Sequence, residues 1–205
     1  GAINMTMNFQ PDSIQTMIVE AVDAVAPQSG IVGIAPVSCG AFIYDGFDFD
    51  FCQSVPGCAP AVASGIKRVR PNALVFTYQN DIDLAAAGIS EVIHAANRGE
   101  NISVIYANSG NSGLDNSEES RIKICEMLSG LNNPVYITRV VATDKDNKTV
   151  VKAIQNAFKL QLENKGFSFV EILSVSDDEE SKEVKDLLAE LPAKVFVDKY
   201  GVEKA

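Results

Sequence analysis

Apolar residues along the chain follow two alternating patterns. Short runs that are almost entirely apolar, rich in Val and Ile, are typical of strands buried on both faces of a sheet. Longer segments carry apolar residues three and four positions apart, which is the spacing of one buried helix face. The apolar runs predict strands over 31–37, 74–77, 102–107, 135–141 and 167–175. The periodic segments predict helices over 13–26, 59–69, 84–97, 118–128, 149–162 and 181–191.

The alternation of strand and helix predicts an α/β fold, with a doubly wound, mostly parallel sheet and helices on both of its faces. Crossovers between parallel strands are right-handed, and ligands bind outside the carboxyl ends of the strands in such sheets. The loops that leave those ends, 38–58, 78–83 and 108–117, are therefore where we expect the chemistry.

The two ends of the chain differ from this pattern. Residues 1–10 are expected to be a disordered start or a cloning remnant, and 11–176 to form the α/β domain. Residues 177–205 are expected to form an acidic helix and an arm, since the acidic run 176–180 favours the start of a helix, its positive pole. The segment 195–197 is either a short extra strand or an arm that contacts a partner.

Composition and charge exclude several classes of partner. The chain has 205 residues, 46% hydrophobic and 21% charged, as expected for one globular domain with a real core. The net charge of −10 argues against a nucleic-acid partner, because Lys and Arg surfaces drive phosphate binding. No apolar stretch reaches the roughly eighteen residues of a membrane helix, and no signal pattern is visible, so we expect no membrane partner and a cytoplasmic location. The basic cluster 67–70 is expected to be the solvated end of a helix.

The cysteines give only a weak signal. Cys39, Cys52, Cys58 and Cys125 match no zinc-ligand spacing. We expect reduced thiols that behave as small buried hydrophobes. For Cys39, at a strand end, a reactive thiol is the alternative.

Polar residues gather where the second predicted strand ends. The stretch TYQNDIDLAAAG, residues 77–88, places Asp81 and Asp83 after that strand. It is either a metal and phosphate site or a capped turn, with Asp83 as the N-cap of the next helix. The loop ANSGNSG, 107–113, either binds an anion through its backbone N–H groups or is a plain loop. His94, the only histidine, lies within a predicted helix, where a core role is expected over a general base.

Two longer stretches point to a family. APAVASGIKRVRPNALVFTYQ (59–79) and HAANRGENISVIYAN (94–108) resemble the thiamine-diphosphate-binding β subunits of 2-oxoacid:ferredoxin oxidoreductases, over about 33–175 of the chain. The resemblance implies the thiamine-diphosphate-binding fold and an oxidoreductase of 2-oxoacids. That family oxidatively decarboxylates a 2-oxoacid to acyl-CoA and reduces ferredoxin. Its partners are an α-type subunit or a homodimer mate, with ferredoxin and coenzyme A.

The resemblance also assigns roles to individual residues. In the family a strand-end Asp, an Asn after the next strand and a nearby backbone carbonyl hold Mg²⁺, which bridges the diphosphate oxygens. Counted without gaps, these ligands fall on Asp81, Ser109 and the carbonyl of Asn111. Mg²⁺ requires such oxygen ligands. The implied cofactor-binding positions are Cys39, Asn80, Asp81, Ile82, Asp83, Asn108, Ser109, Gly110 and Asn111.

Several residues depart from the family pattern. Where the family has Y-Q-G-D-G-D-L-A, Asn80 and Ile82 replace glycines that let the backbone approach the diphosphate. Ile82 is β-branched and would place carbon where a phosphate oxygen sits. Ser109 replaces the metal-binding Asn. The family's C-P-G-C-x-H-G segment aligns with 7–13, which has neither Cys nor His, so only Cys39 matches an iron–sulfur ligand and no cluster is expected.

The losses are correlated, while the scaffold between them is intact. The family's H-G-R, before the A-P-A-V-A helix, is Pro56-Gly57-Cys58 here. We therefore expect weak or no binding of thiamine diphosphate and Mg²⁺ by this chain alone, and we assign no catalytic residue. Two functions remain open: a β-subunit-like protein of the oxidoreductase family, and a catalytically inactive structural or regulatory module that retains the fold.

Overall fold

A seven-stranded sheet organises the protein. The computed structural model describes residues 14–27, 29–36, 49–109, 122–143, 147–174 and 182–203. Within them the strand order is β2-β1-β3-β4-β6-β5-β7. The strands are β1 (Ile31–Pro36), β2 (Asp50–Ser54), β3 (Leu74–Gln79), β4 (Ser103–Asn108), β5 (Tyr136–Ala142), β6 (Ser168–Ser174) and β7 (Lys194–Asp198). The helices are α1 (Ile14–Val25), α2 (Ala59–Val69), α3 (Ile89–Arg98), α4 (Ile124–Ser129), α5 (Lys148–Leu162) and α6 (Lys182–Glu190), with one π-helical turn (Ile82–Ala86).

Helices cover both faces of the sheet. One core cluster joins α1 and α5 to one face, through residues such as Ile18, Ile154 and Val170. A second cluster joins α2, α3 and α4 to the other face, through residues such as Ala63 and Val104. The strands β1 to β6 pair in parallel, and β7 pairs with β5 antiparallel. The predicted doubly wound, mostly parallel α/β fold is confirmed.

The edge strand β2 was not predicted. Its five residues mix polar and apolar side chains, and only its last residue, Ser54, is buried. Because β2 lies at the edge of the sheet, it lacks the continuous apolar run that marks the inner strands. The segment 195–197 lies in β7, the opposite edge strand, and so adopts the strand alternative rather than the arm.

The helix predicted over 84–97 is broken. A π-helical turn ends at Ala86, and α3 begins only at Ile89. The break lies where Gly88 approaches the start of α2: a Cβ on Gly88 would be 2.5 Å from the Asp83 carbonyl oxygen and 2.9 Å from the Cα of Gly57. Gly57 itself has a φ of +82°. The two glycines let the turn after β3 lie against the segment that leads into α2.

Replacing Gly88 by alanine should lower the free energy of unfolding by about 1–3 kcal/mol, because the new methyl group meets backbone atoms that cannot rotate away. The matched control is Gly65→Ala within α2, where a Cβ would meet nothing within 4 Å. That variant should gain about 0.5–1 kcal/mol, since alanine favours the helix. Urea unfolding followed by circular dichroism measures both. Equal stability of the two variants would show that the contact between Gly57 and Gly88 is loose.

Two surface predictions need correction. Arg68 and Arg70 are solvated and pair with Glu100 and Asp50, but Lys67 is buried and donates to the Ala73 carbonyl at 2.6 Å. Burial lowers the pKa of Lys67 to about 8.

The prediction of a core histidine is wrong: the side chain of His94 is exposed on α3.

Three of the four cysteines lie within the described residues. Cys52, Cys58 and Cys125 are free, but only Cys125 is buried, so the expectation of buried thiols fails for the first two. Cys39 lies outside the described residues. Over the described ranges, no helix is both long and apolar enough to cross a membrane.

The direction in which successive strands are added to the sheet reverses between β1 and β3. From β1 the chain moves outward to β2, and then returns to the other side of β1 as β3. Ligands in open α/β sheets bind at the carboxyl ends of the two strands that flank such a point. Asn80 and Asp81 leave the carboxyl end of β3, so the fold positions them at this crevice.

Candidate functional site

The centre of the site is the carboxylate of Asp81. Its Oδ1 accepts a hydrogen bond from the Tyr106 hydroxyl at 2.6 Å. Its Oδ2 accepts two, from the Ser109 backbone N–H at 3.0 Å and from the Ser109 hydroxyl at 2.6 Å. Asp81 is only 6% exposed. These donors come from β4 and the residue after it, because adjacent parallel strands bring their carboxyl ends together.

Tyr106 is fixed as a donor to Asp81. Burial, and then the charge and hydrogen bond of Asp81, raise the pKa of Tyr106 far above its usual value. The hydroxyl therefore keeps its proton, and the Asp81 carboxylate has a permanent partner. Tyr106 is 2% exposed and lies in the interior of β4.

Asn80 has a local structural role. Its Oδ1 accepts a hydrogen bond from the backbone N–H of Asp83 at 3.1 Å, so Asn80 caps the π-helical turn. The prediction that Asp83 is the N-cap is therefore wrong: Asp83 lies inside the turn and is fully buried. Neither Asn80 nor Ile82 has a positive φ, so this backbone path does not require the glycines that stand there in the family. The Ile82 side chain is 55% exposed.

A row of buried polar side chains crosses the sheet below this edge. The strand register aligns Gln79 with Tyr106, Tyr106 with Glu171, and Glu171 with Arg139. Aligned residues project from the same face of a sheet. None of the four is more than 2% exposed. We call Gln79, Tyr106, Glu171 and Arg139 the polar row.

The polar row contains an ion pair with no exposed surface. Arg139 Nε donates to Glu171 Oε2 at 2.8 Å, and both side chains are 0% exposed. The other two guanidinium nitrogens of Arg139 donate to Glu126 of α4 at 2.9 and 2.7 Å. Burial acts to lower the pKa of Arg139, but the contacts with Glu126 and Glu171 outweigh it and raise the pKa above its usual value. The guanidinium group also lies 5.1 Å from the centre of the Phe196 ring on β7.

Glu171 has two further donors. The Asn108 Nδ2 donates to Glu171 Oε1 at 2.6 Å, and the Cys125 thiol donates to Oε2 at 3.0 Å. Burial and the charge of Glu171 raise the pKa of Cys125 well above its usual value, so the thiol remains a proton donor. The carboxylate of Glu171 thus links β4, β5 and α4.

The structure brings only some of the predicted site residues together. Asp81 and Ser109, the two side chains assigned as metal ligands, are in contact, but they hydrogen-bond to each other. It turns the amide of Asn108 towards Glu171. Gly110 and Asn111 lie outside the described residues, as does Cys39.

The sequence analysis missed Tyr106, Arg139 and Glu171. A signal was present for two of them. The stretches VYITRVVA and FSFVEILS each hold a single charged residue in an otherwise apolar or hydroxyl-bearing strand. A charge buried on both faces of a sheet needs a partner, and two such strands can supply each other.

Comparison with known proteins places the chain in a family, although no protein-family model matches it. The ketoisovalerate oxidoreductase subunit VorA of Methanothermobacter thermautotrophicus is 34% identical over an aligned length of 218 residues. The alignment covers 91% of this chain and 46% of the relative. The 2-oxoglutarate synthase subunit KorB of Methanothermobacter marburgensis is 27% identical over 164 residues, covering 74% of this chain and 55% of the relative. The chain therefore spans about half the length of these curated relatives.

Solved structures show the same fold. The 2-oxoglutarate:ferredoxin oxidoreductase of Magnetococcus marinus superimposes with a TM-score of 0.63 at 15% identity, covering 90% of this chain and 78% of that one. The thiamine diphosphate-dependent 4-hydroxybenzoylformate decarboxylase of Rhodococcus jostii gives a TM-score of 0.55 at 18% identity, covering 80% of this chain and 33% of that one. Together with the sequence relatives, these matches show that the chain belongs to the 2-oxoacid:ferredoxin oxidoreductase family.

Proposed function

We propose that this chain is a β-subunit-like protein of the 2-oxoacid:ferredoxin oxidoreductase family whose own Asp81 site binds thiamine diphosphate and Mg²⁺ weakly or not at all. One observation carries the proposal: the Asp81 carboxylate accepts three hydrogen bonds from within the chain. When bound in the family's enzymes, the cofactor supplies the carbanion chemistry of decarboxylation. The residues described here do not fit that group in their present arrangement, so we derive no reaction step through it.

The argument depends on the acceptor capacity of a carboxylate. An ionised Asp offers about four lone-pair positions, two on each oxygen. Ser109 fills both positions on Oδ2 and Tyr106 one on Oδ1. Mg²⁺ requires near-octahedral oxygen ligands, and displacing the Ser109 hydroxyl would break a charge-assisted, partly buried hydrogen bond. Asp81 therefore acts as an internal acceptor that ties the end of β3 to the end of β4.

The neighbouring substitutions support the same proposal. Asn80 uses its side chain to cap the turn, and Ile82 places an exposed apolar side chain beside Asp81. An apolar surface next to a carboxylate does not favour a diphosphate. These residues suit a turn that is stable without a ligand.

We infer that the carboxyl edge of the sheet contacts a partner. Val55 follows β2 and Ile82 follows β3, and their side chains are 63% and 55% exposed. Large apolar side chains exposed at the same edge are typical of an interaction surface. An α-type subunit or a second copy of the chain is the partner we propose. A pull-down from native lysate that recovers neither would contradict this.

The alternative is a catalytically inactive structural or regulatory module that retains the fold. It rests on the same three hydrogen bonds to the Asp81 carboxylate. The two functions differ in what an assembled complex would do: if an α-type subunit is present, a β-subunit-like protein is required for turnover of a 2-oxoacid, whereas a regulatory module is not. Activity of the complex with and without this chain distinguishes them.

The central prediction concerns cofactor binding. Isothermal titration of the chain with thiamine diphosphate, with Mg²⁺ in excess, should show no saturable binding below about 1 mM, which corresponds to about −4 kcal/mol. The reason is that Mg²⁺ binding at Asp81 competes with the hydrogen bonds from Ser109, and that the exposed Ile82 side chain does not favour the diphosphate. A micromolar dissociation constant would overturn the proposal.

The matched test restores the family pattern. The triple variant Asn80→Gly, Ile82→Gly, Ser109→Asn should bind the cofactor measurably, because it removes the Ser109 hydroxyl from Asp81 and supplies an amide oxygen in its place. The control is Ser109→Ala, which removes the hydroxyl from Asp81 without supplying a ligand and should not bind. If neither binds, the alignment of Ser109 with the metal-binding Asn is wrong.

A further inference from the structure

The buried ion pair of the polar row lies close to the Asp81 site, and the two are connected by one side chain. Asn108 is the last residue of β4, and its amide donates to Glu171 at 2.6 Å. The next residue, Ser109, donates to Asp81 through both its N–H and its hydroxyl. The contact with Glu171 thus holds the end of β4 at the point from which Ser109 reaches Asp81.

Glu171 is itself held rigidly. Arg139 donates to it at 2.8 Å, and the Arg139 guanidinium also donates to both carboxylate oxygens of Glu126. The fork of two parallel hydrogen bonds between Arg139 and Glu126 leaves the guanidinium little freedom to rotate. A chain of contacts therefore runs from α4 through β5 and β6 to the end of β4.

We propose that Glu171 is a positioning residue for the Asp81 site: held by Arg139, it fixes the Asn108 amide and thereby places the two donors of Ser109 on Asp81. This role is additional to the contribution of the ion pair to stability. The alternative is that Glu171 serves only as half of a buried ion pair. The inference concerns the same Asp81 site as the proposed function and deepens it, but its test contains no cofactor.

The two roles separate in a double variant, Arg139→Met with Glu171→Leu. Replacing a buried ion pair by apolar residues of similar size often leaves stability unchanged or raises it. Glu126 is one-third exposed and can be solvated, and the Cys125 thiol has the Thr138 carbonyl within 3.7 Å as a second acceptor. The Asn108 amide loses its hydrogen bond to Glu171.

The measurement is amide hydrogen exchange by nuclear magnetic resonance on the full chain. In the double variant the Ser109 amide should exchange roughly ten- to hundredfold faster, which is the range for losing a hydrogen bond to a charged group. The amides of Val104 and Ile105, in the interior of the same strand, should change by no more than the change in global stability. A purely structural role would change all three amides together.

A second variant keeps the test decisive if the double variant does not fold. Asn108→Ala leaves the pair of Arg139 and Glu171 in place and removes the link to Glu171, so it should give the same selective increase at Ser109. Cys125→Ala is the control, because it removes another donor to Glu171 but leaves Asn108 untouched, and it should leave Ser109 protected. Unchanged exchange at Ser109 in Asn108→Ala would overturn the proposal, whatever the cofactor titration gives.

Discussion

Replacing Arg139 by methionine should lower the free energy of unfolding by about 3–5 kcal/mol, one of the largest losses expected from a single change in this protein. The loss of stability arises because the variant leaves Glu171 and Glu126 without their partner. Glu171 is 0% exposed and would be left in the centre of the sheet without a cationic partner, so its carboxyl group would be buried either as an unpaired charge or with a proton taken up at a cost. Glu126 loses its partner too, but contributes little to the loss because it reaches solvent.

The double variant Arg139→Met, Glu171→Leu is the control for this prediction. It should recover most of the lost stability, since both charges are gone and Met and Leu fill similar volumes. Urea unfolding with a constant slope measures each variant. A loss below about 1 kcal/mol in Arg139→Met, the size of an exposed ion pair, would show that water reaches Glu171 in solution.

The inner sheet could be predicted from sequence because burial on both faces leaves a simple pattern. Strands such as β5 and β6 are apolar apart from a single charge and a few hydroxyl-bearing residues, and the five predicted strands all exist, with boundaries shifted by one or two residues. The edge strand β2 lacks that pattern and was missed. The helix predicted over 84–97 is interrupted for a tertiary reason: Gly88 lies against Gly57, and a single sequence does not display that contact.

The sequence pointed to Asp81 and Ser109 but not to the hydrogen bonds between them. The resemblance to the family paired Asp81 with Ser109, and in the structure the Ser109 hydroxyl lies 2.6 Å from Asp81 Oδ2. The direction of the interaction could not be read from the sequence, because Ser109 can either offer a lone pair outwards or donate its proton to Asp81. The third donor, Tyr106, was hidden because aromatic residues are common in strands whatever their role.

The contact between Asn108 and Glu171 spans 63 residues of chain. It depends on the order of β4, β6 and β5 in the sheet, which the alternation of strands and helices does not specify. Once the order is known, the register aligns the charged residues of β5 and β6 with Tyr106. Topology is thus the missing step between the sequence and the polar row.

A second large effect is expected at Gln161, a fully buried residue near the end of α5. Its side-chain amide pairs with the backbone of Val75 as a neighbouring strand would. Oε1 accepts from the Val75 N–H at 2.6 Å, and Nε2 donates to the Val75 carbonyl at 2.7 Å. The pairing of β3 with β4 begins only at Phe76 and Ser103, so β4 does not serve these two groups. Nε2 also donates to the Ser103 hydroxyl at 2.9 Å.

Gln161→Leu should therefore lower the free energy of unfolding by about 2–6 kcal/mol, since each of two buried backbone groups is left without a partner at roughly 1–3 kcal/mol. The matched control is Gln155→Leu on the same helix, which makes the same chemical change at a half-buried position. That control should shift stability by about 0.5 kcal/mol or less. If urea midpoints fall equally in the two variants, then Val75 finds other partners when the amide is removed, and the sheet closes between β3 and β4 without help from α5.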